Sequence, residues 1–112
     1  MINKPKEYDF AQLLDNDELV MRQALSLAKK AADIGEVPVG CIIMENNKII
    51  AAEYNRRETD QDATAHAEIL ALRAAGKHRP SWRLDGCDLY VTMEPCLLCA
   101  GAIIQARIRR LI

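Results

Sequence analysis

The feature that most restricts how this chain can fold is a divided set of metal-type donors. His66-Ala67-Glu68 stands in one segment and Pro95-Cys96-Leu97-Leu98-Cys99 in a later one. Neither segment completes a site alone, so the fold must bring the two together. Cys96 and Cys99 are three positions apart, which on a helix puts both thiols on one face. Two such sulfurs can hold one Zn²⁺ at ~2.3 Å each. At the start of a helix the free amides and the dipole favour their thiolate forms. His66 supplies a third ligand. Glu68 lies beside such an ion rather than on it. A zinc with three protein ligands keeps a place for water and lowers its pKa towards ~7. A carboxylate within hydrogen-bond reach can accept that proton and return it to a substrate.

Two other readings compete. A C-x-x-C pair in a reducing compartment is also the pattern of a redox dithiol, but that chemistry leaves His66 and Glu68 without a role. A purely structural zinc closes with four protein ligands, and Cys41 or Cys87 could supply the fourth. Cys41 lies inside an apolar run and Cys87 follows Gly86 where a strand begins, so both read as small buried hydrophobes. The open site, with Glu68 as proton shuttle, is the expectation.

At 112 residues, half of them hydrophobic and 28% charged, the chain is expected to form one ordered domain. Its net charge of −1 gives no bulk attraction for a polyanion, so a nucleic acid has to meet a local basic patch. Arg73, Lys77, Arg79 and Arg83 follow one another without an intervening carboxylate, and Arg107, Arg109 and Arg110 form a second cluster. At least one cluster is expected to contact phosphates. No apolar run is long enough to span a membrane. Met1 to Phe10 lacks the apolar core of a signal peptide, which makes the cytoplasm the expected location, and there the four cysteines stay reduced.

Residues 1–16 show no sustained periodicity and read as a lead-in to a domain over 17–112. Val20, Met21, Ala24, Leu25, Ala28 and Ala31 recur at helical spacing from Asp17, with Gly35 as C-terminal cap and Pro38 barring continuation. Val39 to Met44 and Lys48 to Glu53 read as a hairpin turning at Glu45-Asn46-Asn47. Asn55 to Ala63 reads as a loop, and Thr64 to Ala75 as a helix capped by Thr64 or Asp62 and stopped by Gly76. A loop to Gly86, a buried strand over Leu89 to Thr92, a helix over Cys96 to Ala106 with Pro95 at its start, and a strand opening at Arg109 complete the pattern. This order predicts an α/β fold, a mixed sheet with helices on its faces and a parallel crossover near the end. Only four residues of the last strand are present.

His66-x-Glu68 followed by Pro95-Cys96-x-x-Cys99 is the pattern of zinc nucleobase deaminases. At these residues the chain resembles the cytidine-deaminase-like superfamily, and within it the bacterial tRNA-specific adenosine deaminases. Glu36-Val37-Pro38-Val39-Gly40, Asn55-Arg56, Thr64 to Ile69, Ser81-Trp82-Arg83-Leu84 and Leu89 to Cys96 match that family in order and spacing, over about Asp17 to Ile112. The resemblance implies a three-layer α/β/α fold and one Zn²⁺ on His66, Cys96 and Cys99. It implies hydrolytic deamination of adenosine to inosine at the wobble position of a tRNA anticodon, with attack at C6 of the purine. Glu68 would carry a proton to N1 and then to the leaving ammonia, and Asn55 would hydrogen-bond the nucleoside. The partners implied are the tRNA anticodon loop and a second copy of the chain in a homodimer. Family members continue beyond the last strand into further helices, so a domain incomplete at its C-terminal end is expected. Two alternatives stay open: a guanine or cytosine deaminase acting on free bases, and a non-catalytic zinc-stabilised RNA-binding or partner module.

Overall fold

The computed structural model describes the backbone from Phe10 to Ile112 and side chains from Asn16 onward. Most of the lead-in, and with it the stretch read for a signal peptide, lies outside the described residues. Helix α1 runs over Phe10–Asp33, so it begins earlier than the Asp17 start its apolar spacing suggests. It ends as expected at Gly35, whose φ of +82° is open to glycine at no cost. The Glu36 N–H closes this end by donating to the Ala31 carbonyl at 2.9 Å.

Strands β1 (Gly40–Glu45) and β2 (Lys48–Tyr54) form the expected hairpin. Its turn is the two residues Asn46 and Asn47, with φ of 50° and 65°, which matches the twist of the flanking strands. Helix α2 is Ala67–His78, β3 is Cys87–Val91, α3 is Leu97–Gln105 and β4 is Arg110–Leu111. The sheet order is β2-β1-β3-β4; β1 is antiparallel to both neighbours, and β3 and β4 are parallel. The mixed sheet and the parallel crossover therefore stand as predicted.

Alternation along β1 and β3 assigns the two faces. Cys41, Ile43, Leu89 and Val91 point towards α2 and α3, where they pack with Ala67, Ala71, Ala75, Leu84 and Ile103. Ile42 and Tyr90 point the other way, onto Val20 and Ala24 of α1. The layers are thus α1, sheet, and α2 with α3. Gly40 is where α1 crosses the sheet, because a Cβ there would collide with the Ala24 carbonyl oxygen.

Two boundaries differ from the sequence reading for a single reason. Neither Thr64 nor Asp62 caps α2, and Cys96 is not inside α3: the N-caps are His66 and Cys96 themselves, neither making a side-chain cap hydrogen bond. Asp62 instead accepts from the Thr64 amide and hydroxyl in a turn before the helix. Gly76 does not stop α2, which continues to His78.

Candidate metal centre

Two backbone junctions bring the donors together. At the end of β2 the Asn55 amide donates to the Val39 carbonyl (3.1 Å) and the Arg56 amide to the Ala65 carbonyl (3.0 Å). The second of these closes the loop that returns the chain to His66. At the end of β3 the Thr92 amide donates to the Gly40 carbonyl (3.1 Å), while the Thr92 hydroxyl accepts from the Gly40 amide at 3.1 Å. The chain then passes through Met93, Glu94 and Pro95 to Cys96. The N-terminal ends of α2 and α3 therefore meet beside the carboxyl end of β3, a common location for sites in α/β folds.

The ligand atoms of His66, Cys96 and Cys99 lie within 4.8 Å of one another, with Cys96 Sγ 3.8 Å from His66 Nδ1. Tetrahedral zinc bonds to sulfur and imidazole nitrogen set those atoms about 3.6 Å apart, so the residues fit the ion. Among the described residues, no fourth histidine, cysteine or carboxylate joins the group. Cys41 and Cys87 are fully buried, as expected of small hydrophobes. Cys87 also receives the Arg79 guanidinium at 3.1 Å, a contact its sequence context does not show.

The electrostatics separate the two ligating sulfurs. Amide N–H groups of Cys99 and Leu98 at the α3 terminus hold the exposed Cys96 thiol below its ordinary pKa. Burial pushes the Cys99 thiol far up, and the adjacent Glu68 carboxylate pushes it further. A thiolate in that position calls for a compensating cation, which is what a zinc ligand needs. Glu68 is 4% exposed in the first turn of α2, one residue past the N-terminal helical position. It stands next to the Cys99 sulfur and outside the three-ligand group.

Asn55 is buried beside the Ala65–His66 junction. Its Nδ2 donates to Glu36 Oε1 at 3.5 Å. Glu36, to which the sequence reading assigns no role, is itself buried.

Most of the arginines in the two basic clusters have acidic or carbonyl partners. Arg79 reaches Glu45 (3.5 Å) and the Asp85 carbonyl (2.8 Å), Arg83 pairs with Asp85 (3.0 Å), and Arg73 lies 3.9 Å from Asp62. Arg109 grips Asp88 through two hydrogen bonds at 2.9 and 2.8 Å. Arg110 bridges Asp88 and Asp17. A run without carboxylates along the chain is not free of them in space. These arginines hold loops and strands together first.

The family model for the cytidine and deoxycytidylate deaminase zinc-binding region matches residues 14–112. The tRNA-specific adenosine deaminase of Bacillus subtilis (strain 168) is 46% identical over 99 residues, covering 88% of this chain and 62% of that protein. A solved structure from work on A-to-I editing by tRNA:A34 deaminases at the wobble position superposes with a TM-score of 0.82 at 46% identity, covering 84% of this chain and 72% of the other. A guanine deaminase from Bacillus subtilis also superposes with a TM-score of 0.82, at 39% identity, covering 84% and 60%. The chain spans about six-tenths of the length of the bacterial curated relatives it matches.

Proposed function

This chain belongs to the cytidine and deoxycytidylate deaminase zinc-binding family, and on that footing we propose that it is a hydrolase converting adenosine to inosine at the wobble position of a tRNA anticodon. The observation that carries the reading is the three-ligand group of His66, Cys96 and Cys99 with buried Glu68 at its side. A structural site has no use for such a carboxylate. Identity to tRNA-specific adenosine deaminases supports adenosine in RNA as the substrate.

His66, Cys96 and Cys99 would hold the ion. Zinc bound there supplies Lewis acidity, making a water nucleophilic near neutral pH. Glu68 accepts a proton from the attacking water and passes it to N1 of the purine as oxygen adds at C6. The same carboxylate then takes the remaining proton from the hydroxyl added at C6 and delivers it to the exocyclic nitrogen; the C6–N6 bond breaks as the C6 carbonyl forms, so that adenosine and water become inosine and ammonia. Asn55 holds the nucleoside. The target base is unpaired in an anticodon loop, which keeps the cost of extruding it low. The proposed location is the cytoplasm. Among the described residues no helix is long and apolar enough to cross a membrane.

The working unit is a homodimer. Leu97 (92%), Ile104 (68%) and Trp82 (65%) are exposed on and beside α3, more apolar surface than a small monomer leaves uncovered without a use. Light scattering during gel filtration should give twice the 12.6 kDa chain mass; a monomer at all accessible concentrations contradicts it.

Incubating zinc-loaded protein with an anticodon stem-loop and with free guanine, then measuring inosine and xanthine, tests the substrate. Inosine in the stem-loop is the expected product. Xanthine alone would reassign the chain to free-base chemistry, the alternative that its likeness to a guanine deaminase favours.

A further inference from the structure

The junction between α1 and β1 carries a buried carboxylate that the deamination chemistry does not use. Glu36 is 6% exposed. Its Oε2 accepts from the Thr59 amide and hydroxyl at 2.6 and 2.7 Å. Its Oε1 accepts from the Glu58 amide at 3.2 Å, and Asn55 Nδ2 adds a longer contact at 3.5 Å. Burial alone would raise its pKa, but the Thr59 and Glu58 donors outweigh burial and hold the group below the ordinary carboxylate range. The end of α1 does not need this side chain, because the backbone N–H of Glu36 closes it.

What the carboxylate holds is the 56–65 loop. Residues 57–61 are all exposed, so burial does little to fix them. Their other hydrogen bonds stay within the loop. The Asp60 amide donates to the Arg56 carbonyl, the Gln61 amide to the Glu58 carbonyl and the Asp62 amide to the Arg57 carbonyl. Among the described residues, Glu36 alone ties this tip to the body of the fold by hydrogen bonds. The neck of the loop is the Arg56 amide on the Ala65 carbonyl, and the next residue is His66. His66 is extended, with φ −70° and ψ 149°, and its carbonyl accepts from the Leu70 amide of α2 at 3.0 Å. The direction of its imidazole therefore depends on the loop as well as on the helix.

We propose that Glu36 is a positioning residue for the metal centre: it fastens the 56–65 loop so that His66 faces Cys96 and Cys99 before an ion arrives. This rests on the reading of those three residues as zinc ligands. The loop carries Glu58, Asp60 and Asp62 beside Arg56 and Arg57 and has no apolar core of its own, so its order comes from its ties. Without the tie to Glu36, zinc binding must itself order the loop, and affinity falls accordingly. Loss of outer contacts that orient metal ligands weakens metal binding by ~10–100-fold. Glu36 acts through the backbone rather than on the imidazole ring, which points to the lower end of that range.

Zinc affinity, measured on the full chain by competition with a chelating dye, tests this without turnover. Glu36→Gln replaces one of the two acceptor oxygens by an NH₂ group that meets the Glu58 or Thr59 donors. Its zinc Kd should rise about tenfold. Asp88→Asn loosens β4 at the opposite end of β3 from the centre, so it controls for lost stability and should move the Kd by less. Hydrogen exchange of zinc-loaded protein, read by mass spectrometry over residues 56–62, should be faster in Glu36→Gln than in the parent and unchanged in Asp88→Asn. Thr59→Val removes one donor and keeps the carboxylate; its Kd should rise by a smaller factor, and it decides the matter if Glu36→Gln does not fold. A Kd that rises no further in Glu36→Gln than in Asp88→Asn overturns the positioning role, as does unchanged exchange over the loop. A parent that binds no zinc overturns this role and the proposed function together. A parent that binds zinc yet forms no inosine overturns the proposed function and leaves the role of Glu36 to the Kd comparison.

Discussion

Glu68 concentrates the account at the scale of one residue. A carboxylate buried beside a thiol is expensive unless a cation or a proton offsets it, and the proposed zinc and proton transfer would supply that offset for Glu68 in the first turn of α2. Glu68→Ala should keep one zinc per chain by elemental analysis and lower the deamination rate by ~10²–10⁴-fold. A variant that turns over like the parent removes the proton-shuttle role. His66→Ala should instead lose the metal and melt at a lower temperature, because metal binding and folding are coupled; full zinc occupancy in that variant excludes His66 as a ligand. The grouping of His66, Cys96 and Cys99 was legible in the sequence because each half of it is a local spacing. The contacts of Glu36 were not. Its partners Glu58 and Thr59 stand 22 and 23 positions further along, and only the closure of the 56–65 loop brings them near.

At the scale of elements, the periodic stretches were readable and their starts were not. The apolar spacing of α1 and the alternation of β1 report burial directly. Capping side chains misled for α2, since the chain reaches the helix through a turn held by Asp62 and His66 takes the N-cap position. Leaving the helix termini without side-chain caps keeps their amides turned towards the site, where the thiolate of Cys96 benefits. Gly40 carries no local sequence signal of its role, yet it sets how closely α1 approaches β1. Gly40→Ala should cost about 1–3 kcal/mol in urea unfolding, because the added Cβ meets the α1 backbone rather than a flexible side chain. An unchanged midpoint would show that α1 can lift without penalty. Asp88 plays the matching part for β4. Burial raises its pKa, but the Arg109 and Arg110 hydrogen bonds prevail and lower it. Its contribution is therefore complete above the unfolded value near ~3.9 and lost as pH falls through the depressed one. Asp88→Asn should destabilise by about 1–3 kcal/mol at pH 7, and the gap to the parent should begin to narrow below about pH 4 and close only once pH has fallen past the depressed folded value. A gap that persists in acid would assign the effect to packing.

Over the whole molecule, the pairing of charges is the property that a one-dimensional reading shows least. Seven basic residues in two runs suggested a landing surface for phosphates, but Arg79, Arg83, Arg109 and Arg110 are engaged with Glu45, Asp85, Asp88 and Asp17. Replacing Arg109 and Arg110 by Ala should lower the melting temperature and leave the salt dependence of RNA binding unchanged; a shallower slope would return them to the RNA interface. The layered architecture, by contrast, was readable because the order of helical and alternating segments admits few arrangements with a mixed sheet. That architecture brings the ends of α2 and α3 together, and on their meeting the functional reading depends. Zinc-edge X-ray absorption on the metal-loaded chain examines that meeting point directly. Two sulfurs at ~2.3 Å, one imidazole and a remaining light-atom ligand are predicted. Three or four sulfurs, or none, would contradict the site on which everything else is built.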